Sequence, residues 1–171
     1  MPFMHAVVHS IDRFTDRSGR VLAWLSLAMA LTVTVIVLLR YGLGIGSIPL
    51  QESVTYLHAS LFLLGAGYAL KNGAHVRVDI FYRHFSPNTQ AWVNALGGII
   101  FLLPLCVFIF MSSWNYVFES WSMLESSPEP GGIPAVYLLK SLIPLAAANL
   151  AVQGAAEILR NALALAGVDR H

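Results

Sequence analysis

The sequence predicts an all-α integral membrane protein with four transmembrane helices. Four long apolar stretches follow one another along the chain, and the charged residues are concentrated in the short gaps between them. Hydrophobic residues make up 57% of the chain and charged residues 11%, whereas soluble domains usually carry about 25% charged residues. Because ~20 mostly apolar helical residues cross the ~30 Å hydrocarbon layer, we predict spans at about residues 21–39, 53–70, 88–118 and 136–157.

The first two spans are the simplest to place. Residues 21–39 contain no charged residue, and no clear small-residue cleavage site follows them, so we expect an uncleaved first span. A turn-rich segment at residues 42–49 precedes the second span. Glu52 is predicted to open that span, where the exposed N–H groups and dipole of a helix N-terminus favour a carboxylate.

The third apolar stretch is too long for one straight crossing. Its beginning at residues 80–85 mixes apolar and polar side chains, which favours an interfacial segment. Pro104 is predicted to kink the helix, since proline removes a backbone hydrogen bond. Residues 126–134 (SSPEPGGIP) predict a rigid loop before the fourth span.

Small residues mark one face of the fourth span. Ala147, Ala151 and Ala155 recur at steps of four residues, which places them on one helix face. Small residues allow close helix approach in membranes. This pattern fits packing among the four helices of the chain, and it also fits docking of a partner membrane protein.

The basic residues predict one orientation. Eight of the ten lie before the first span, between the second and third, or after the fourth. The positive-inside rule therefore places both termini in the cytoplasm. We treat residues 1–171 as a single domain, since four spans leave little chain for another. The eight basic residues are Arg13, Arg17, Arg20, Lys71, Arg77, Arg83, Arg160 and Arg170.

The sequence contains no pattern typical of catalysis. It lacks a nucleophilic triad arrangement, a phosphate-binding glycine loop and a paired-histidine metal motif. The single cysteine, Cys106, rules out an internal disulfide and makes a cysteine-based metal site unfavourable. His58 is the only histidine within a predicted span, whereas haem normally needs a second one at membrane depth. We therefore expect no enzyme activity, catalytic residue, cofactor or metal site, and no nucleic-acid partner.

Three elements in a fixed order carry a family resemblance. They are Glu52 at the start of the second span, residues 71–79 (KNGAHVRVD) and residues 127–144 (SPEPGGIPAVYLLKSLIP). With these elements, residues 21–163 resemble the small membrane subunit of tripartite ATP-independent periplasmic (TRAP) transporters. Members often carry two adjacent carboxylates before the second span, whereas this chain has Gln51 at the first position.

The resemblance implies a scaffold role in the bacterial inner membrane. In that family a periplasmic binding protein delivers an organic anion to a large membrane subunit, which holds the sodium and substrate sites. The small subunit packs beside the large one. Sodium coupling is therefore expected in the large subunit, and this chain is expected to contact the large subunit, the binding protein and membrane lipid.

The resemblance also suggests roles for particular residues. Candidates for contact with the large subunit are Glu52, Lys140, Ala147, Ala151 and Ala155. The cytoplasmic loop motif comprises Lys71, His75, Arg77 and Asp79, of which Lys71 and Arg77 are available to lipid phosphates. Candidates for contact with the binding protein are Glu119, Glu125 and Glu129.

Three other function classes remain open at this point. An independent small four-helix exporter is the main alternative, although such exporters use a carboxylate deep within a span and none occurs here. A membrane redox or quinone-binding enzyme and a stand-alone structural membrane protein are the others. Identification of the partner distinguishes the structural protein from a transporter subunit.

Overall fold

The protein is a bundle of long helices. The computed structural model describes residues 2–74 and 82–167. The helices are α1 (Pro2–Gly42), α2 (Ile48–Lys71), α3 (Pro87–Gly97), a π-helical turn (Gly98–Leu102), α4 (Leu103–Ser122) and α5 (Val136–Leu165). Helix α3, the π turn and α4 form one continuous rod, so the described residues contain four helices that are long and apolar enough to span a membrane. The prediction of an all-α protein with four spans is confirmed.

Helix α1 is twice as long as the predicted first span. It begins at Pro2, not near residue 21, and its 41 residues reach ~60 Å at the usual helical rise. The hydrocarbon layer is only ~30 Å thick, so hydropathy located the apolar half and missed the polar half. The polar half is helical because it packs on the other helices, through contacts described below.

Helix α2 begins four residues before Glu52. Ser47 has extended backbone at the N-cap position, and Pro49 lies within the first two helical positions, where proline is well tolerated. The first turn contains no acidic residue. The prediction that Glu52 sits at the helix N-terminus is therefore wrong.

The third span contains a change of helix type just before its proline. Ser86 caps α3, since its side chain accepts a hydrogen bond from the Thr89 amide. The Leu103 amide bonds to the Gly98 carbonyl, five residues back, and closes the π turn. Such wide turns are a common site of helix bending. The rod continues through Pro104 to Ser122, so the proline does not end it.

Helix α5 is the centre of the bundle. It contacts α1, α2, α3 and α4. In the middle of the bundle the Asn149 side-chain amide donates to the Leu64 carbonyl at 2.8 Å. Gly154 lets α5 approach the third span closely, since a Cβ there would lie 2.6 Å from a Leu102 methyl carbon. Much of the outer surface is apolar, as a lipid-facing surface requires; examples are Leu31, Phe62, Phe101 and Phe108.

Candidate functional site

Glu52 holds the loop between α4 and α5. One carboxylate oxygen accepts a hydrogen bond from the Ser127 hydroxyl, and the other accepts from the Ile133 amide at 2.6 Å. Both donors belong to the α4–α5 loop (residues 123–135), whereas Glu52 belongs to α2. The carboxylate therefore joins a membrane-spanning helix to a loop about 80 residues further along the chain.

The local sequence shapes this loop around the carboxylate. Gly131 has a φ of +77°, which glycine adopts without strain. Gly132 comes next, and a Cβ there would lie 2.5 Å from the Ser127 hydroxyl oxygen and 2.7 Å from a Glu52 oxygen. The two glycines therefore turn the chain and leave room for the carboxylate.

A second attachment ties the start of the loop to α5. Lys140 lies 2.5 Å from a Glu125 carboxylate oxygen and 4.0 Å from the centre of the Tyr116 ring. The hydrogen bond from Lys140 is the main reason that the pKa of the Glu125 carboxyl lies below its ordinary value. Lys140 and Glu125 are therefore already partners within the chain, whereas Glu119 and Glu129 are exposed. We call this region, with Glu52, the loop end.

A polar network joins the helices at the opposite end. Arg160 of α5 forms ion pairs with Asp12 of α1, at 2.7 Å, and with Glu157 of its own helix. Gln153 is fully buried and accepts a hydrogen bond from the Thr15 hydroxyl at 2.7 Å. We call Asp12, Thr15, Gln153, Glu157 and Arg160 the network end. These contacts hold the polar half of α1 against α5.

Lys71 adds helix α2 to the same end. Its ammonium lies 2.5 Å from a carboxylate oxygen of Asp16 and donates to the Asp12 carbonyl at 3.2 Å. The ammonium that was expected to be available to lipid phosphate therefore has partners in α1. His75, Arg77 and Asp79 of the predicted loop motif lie outside the described residues.

The small-residue face of α5 divides into two parts. Ala147 is 5% exposed, so its side chain packs inside this chain. Its predicted contact with a large subunit stays a prediction, although residues of this chain already cover the side chain. Ala151 and Ala155 are half-buried, and their docking role stays a prediction. Lys140 and Glu52 likewise have partners within the chain, as described above.

An apolar groove of about 760 Å³ runs over α5 between α2 and α4. Its lining includes Leu61, Cys106, Ile109 and Leu150. An organic anion needs hydrogen-bond donors or cations, and this lining offers almost none. In the described ranges, no three His, Cys, Asp or Glu side chains are grouped so that they could hold a metal ion.

Sequence reasoning missed most of the network end. Asp12, Asp16, Gln153 and Glu157 were not candidates, and Arg160 was used only for orientation. A signal was present, because Gln153, Glu157 and Arg160 follow one another at steps of four and three residues on α5. Polar residues at that spacing on a mostly apolar helix indicate a polar contact along one face.

These features define a multi-pass helical membrane protein whose polar side chains mainly hold its own elements together. The family model for the DctQ component of tripartite ATP-independent periplasmic transporters matches residues 11–164. The chain belongs to this family of TRAP small permease subunits. Membership does not favour the independent exporter, and it places the chain among the components of transporters.

A curated relative agrees with this assignment. The C4-dicarboxylate TRAP transporter small permease protein DctQ of Vibrio cholerae serotype O1 is 26% identical over 126 residues, which are 70% of this chain and 54% of the relative. The chain thus spans about half the length of the curated relative that it matches. No solved structure matches the chain.

Proposed function

We propose that this chain is the accessory small subunit of a sodium-coupled TRAP transporter in the bacterial inner membrane. It supports a large transport subunit, and a periplasmic binding protein supplies the complex with an organic acid anion. The family match over residues 11–164 carries this proposal. The relative from Vibrio cholerae is named for a C4-dicarboxylate transporter, so a C4-dicarboxylate is the first substrate to test.

The geometry supports an accessory role rather than a transport site. The groove over α5 is apolar, and the side chains of Thr15, Gln153 and Asn149 make hydrogen bonds between helices. An inward-carried anion and sodium need several converging polar groups. The proposal therefore assigns both ligands to the large subunit and involves no enzymatic step or cofactor in this chain.

The proposed orientation places the loop end in the periplasm. The described contacts divide the molecule into two opposite ends, and the basic excess lies at the end that carries Lys71 and Arg160. The positive-inside rule assigns that end to the cytoplasm. The α4–α5 loop then faces the compartment in which a binding protein works.

Co-expression with the large subunit tests the proposal. The tagged chain is expected to recover the large subunit in mild detergent, and the reconstituted pair with the binding protein is expected to take up C4-dicarboxylate only under a sodium gradient. A tagged chain that is recovered alone, stable and self-associated, contradicts the accessory role. Uptake at full rate by the large subunit without this chain contradicts it as well.

Ala151→Leu tests the predicted docking face, with Ala162→Leu as the matched control on an exposed position of the same helix. A bulky side chain prevents close helix approach. We expect Ala151→Leu to reduce recovery of the large subunit and Ala162→Leu to leave it unchanged. Equal recovery from both variants excludes Ala151 from the interface.

A further inference from the structure

The Glu52 carboxylate makes its hydrogen bonds to the α4–α5 loop. The Ser127 hydroxyl and the Ile133 amide, six residues apart at the two sides of the turn, donate to this carboxylate. The Ser127 amide also bonds to the Ile133 carbonyl at 3.3 Å. The carboxylate and this backbone bond therefore hold the two sides of the loop together and attach both of them to α2.

Ser127 links the Glu52 carboxylate to the tip of the loop through hydrogen bonds. Its hydroxyl oxygen donates its proton to Glu52 and accepts a hydrogen bond from the Glu129 amide at 3.1 Å. The Glu129 carbonyl in turn accepts from the Gly132 amide at 2.9 Å. The backbone of Glu129 is thus held from both sides, and its orientation follows from the position of Ser127.

The tip that is held in this way is exposed. Pro128, Glu129, Pro130 and Gly131 are all exposed, although bonds from α2 and the Lys140–Glu125 pair fix the loop at several points. An exposed loop with an ordered backbone is a frequent form of binding surface. Because the loop is already ordered before it meets a partner, binding does not carry the conformational entropy cost of ordering it.

The exposed charge at this end is mainly acidic, although Arg40 in the last turn of α1 is an exposed cation at the same end of the bundle. Glu129 at the tip and Glu119 near the end of α4 are exposed, whereas Glu52 and Glu125 are occupied by loop and lysine contacts. A partner surface that carries lysine and arginine is electrostatically complementary to the tip, and such complementarity speeds association.

We infer that Glu52 is a positioning residue that fixes the α4–α5 loop as the docking surface for a basic patch of the periplasmic binding protein. This inference rests on the proposed function, since it takes the binding protein as the partner. Glu52 does not touch the partner. It acts through Ser127 and Ile133, and the Ser127 hydroxyl in turn holds the backbone amide of Glu129.

The test compares two substitutions of Glu52 in the assembled complex in nanodiscs. Glu52→Ala removes both acceptors, so the exchange rate of the Ile133 amide is expected to rise about tenfold or more. The dissociation constant for the purified binding protein is expected to rise about tenfold, because the released loop must then be ordered on binding. Glu52→Gln is expected to keep most of the protection of the Ile133 amide and most of the affinity for the binding protein. The reason is that its side-chain amide can accept from Ile133 and donate to Ser127.

Two further variants separate positioning from charge and from misfolding. Ser127→Ala breaks the link to Glu129 while the Ile133–Glu52 bond remains, and it is expected to weaken docking without releasing the Ile133 amide. Glu129→Gln removes the tip charge, and it is expected to weaken docking in a salt-dependent way with unchanged exchange at Ile133.

Two outcomes overturn the inference while leaving the proposed function intact. One is that Glu52→Ala frees the Ile133 amide but the binding protein docks with unchanged affinity. The other is that Glu52→Ala and Ser127→Ala both leave docking unchanged in a complex that still contains the large subunit. If the wild-type complex itself does not bind the binding protein, the proposed function fails and the inference fails with it.

Discussion

The two polar ends of the bundle stabilise different parts of the structure: the network end holds helices together, and the loop end holds the α4–α5 loop. At the network end, side chains of α1, α2 and α5 bind one another, so most of the contacts join one helix to another. At the loop end, Glu52 and Lys140 mainly bind a connecting loop. Loss of a contact at the network end should therefore loosen the bundle, whereas loss at the loop end should loosen only the loop.

Burial strengthens the contrast. Gln153 is fully buried and Thr15 is 2% exposed, whereas the side chains of Lys140 and Glu125 are 16% and 31% exposed. A buried polar group without a partner costs about 1–3 kcal/mol, while an exposed ion pair contributes about 0–1 kcal/mol. The Thr15–Gln153 contact should thus contribute more to stability than the Lys140–Glu125 pair, and by our proposal the two ends also differ in function.

The largest effect is expected for Gln153→Ala. The substitution leaves the Thr15 hydroxyl without its buried acceptor and opens a small cavity between α1 and α5. We expect the free energy of unfolding to fall by about 1–3 kcal/mol, measured as thermal unfolding in one detergent. Gln51→Ala, at an exposed position of α2, serves as the control and should change little.

A smaller effect is expected where the network end is partly exposed. The Arg160 and Asp12 side chains are 38% and 19% exposed, so solvent screens their ion pair. A double-mutant cycle of Asp12→Ala and Arg160→Ala should give a coupling energy below about 1 kcal/mol. A coupling of several kcal/mol would show that this pair, rather than Gln153, dominates the network end.

Gly132→Ala tests the loop end with almost no expected change in global stability. The added Cβ would lie 2.5 Å from the Ser127 hydroxyl oxygen, so Ser127 must move away from Glu52. Amide exchange at Ile133 should increase while the unfolding midpoint stays near that of the wild type. Gly46→Ala is the control, since no atom lies within 4 Å of its added Cβ. A large fall in the midpoint would show that the loop supports the whole bundle.

The smallest effect is expected from pH. The Lys140 ammonium lowers the pKa of the Glu125 carboxyl below its ordinary value of 4.5. Because the pKa of Glu125 is lower in the folded state, its ionised carboxylate stabilises the loop at any pH above the ordinary pKa. This stabilisation is lost as the pH falls through the folded-state pKa. The attachment should thus be unchanged from pH 7 to about 5 and weaken at more acidic pH. A carboxyl NMR titration should give a lower Glu125 midpoint in the wild type than in Lys140→Met; equal midpoints would contradict the pairing.

The sequence was sufficient for the all-α class and the number of spans, because apolar length is a local property. It also predicted the loop without regular structure at residues 126–134, and it singled out Glu52 but placed it wrongly at a helix N-terminus. It did not identify what Glu52 binds, since Ile133 is 81 residues away and no local pattern encodes that contact. The helical character of residues 2–20 was missed for a similar reason: their partners on α2 and α5 are distant in sequence.

The most direct test compares Gln153→Ala and Glu52→Ala in the same reconstituted complex, with unfolding midpoint and binding-protein affinity measured for both. We predict opposite results for the two variants. Gln153→Ala should lower the midpoint and keep the affinity of the complex that remains folded, whereas Glu52→Ala should keep the midpoint and lose about tenfold in affinity. If both variants lower the midpoint equally and neither changes the affinity, the two ends do not have separate roles and the account is contradicted.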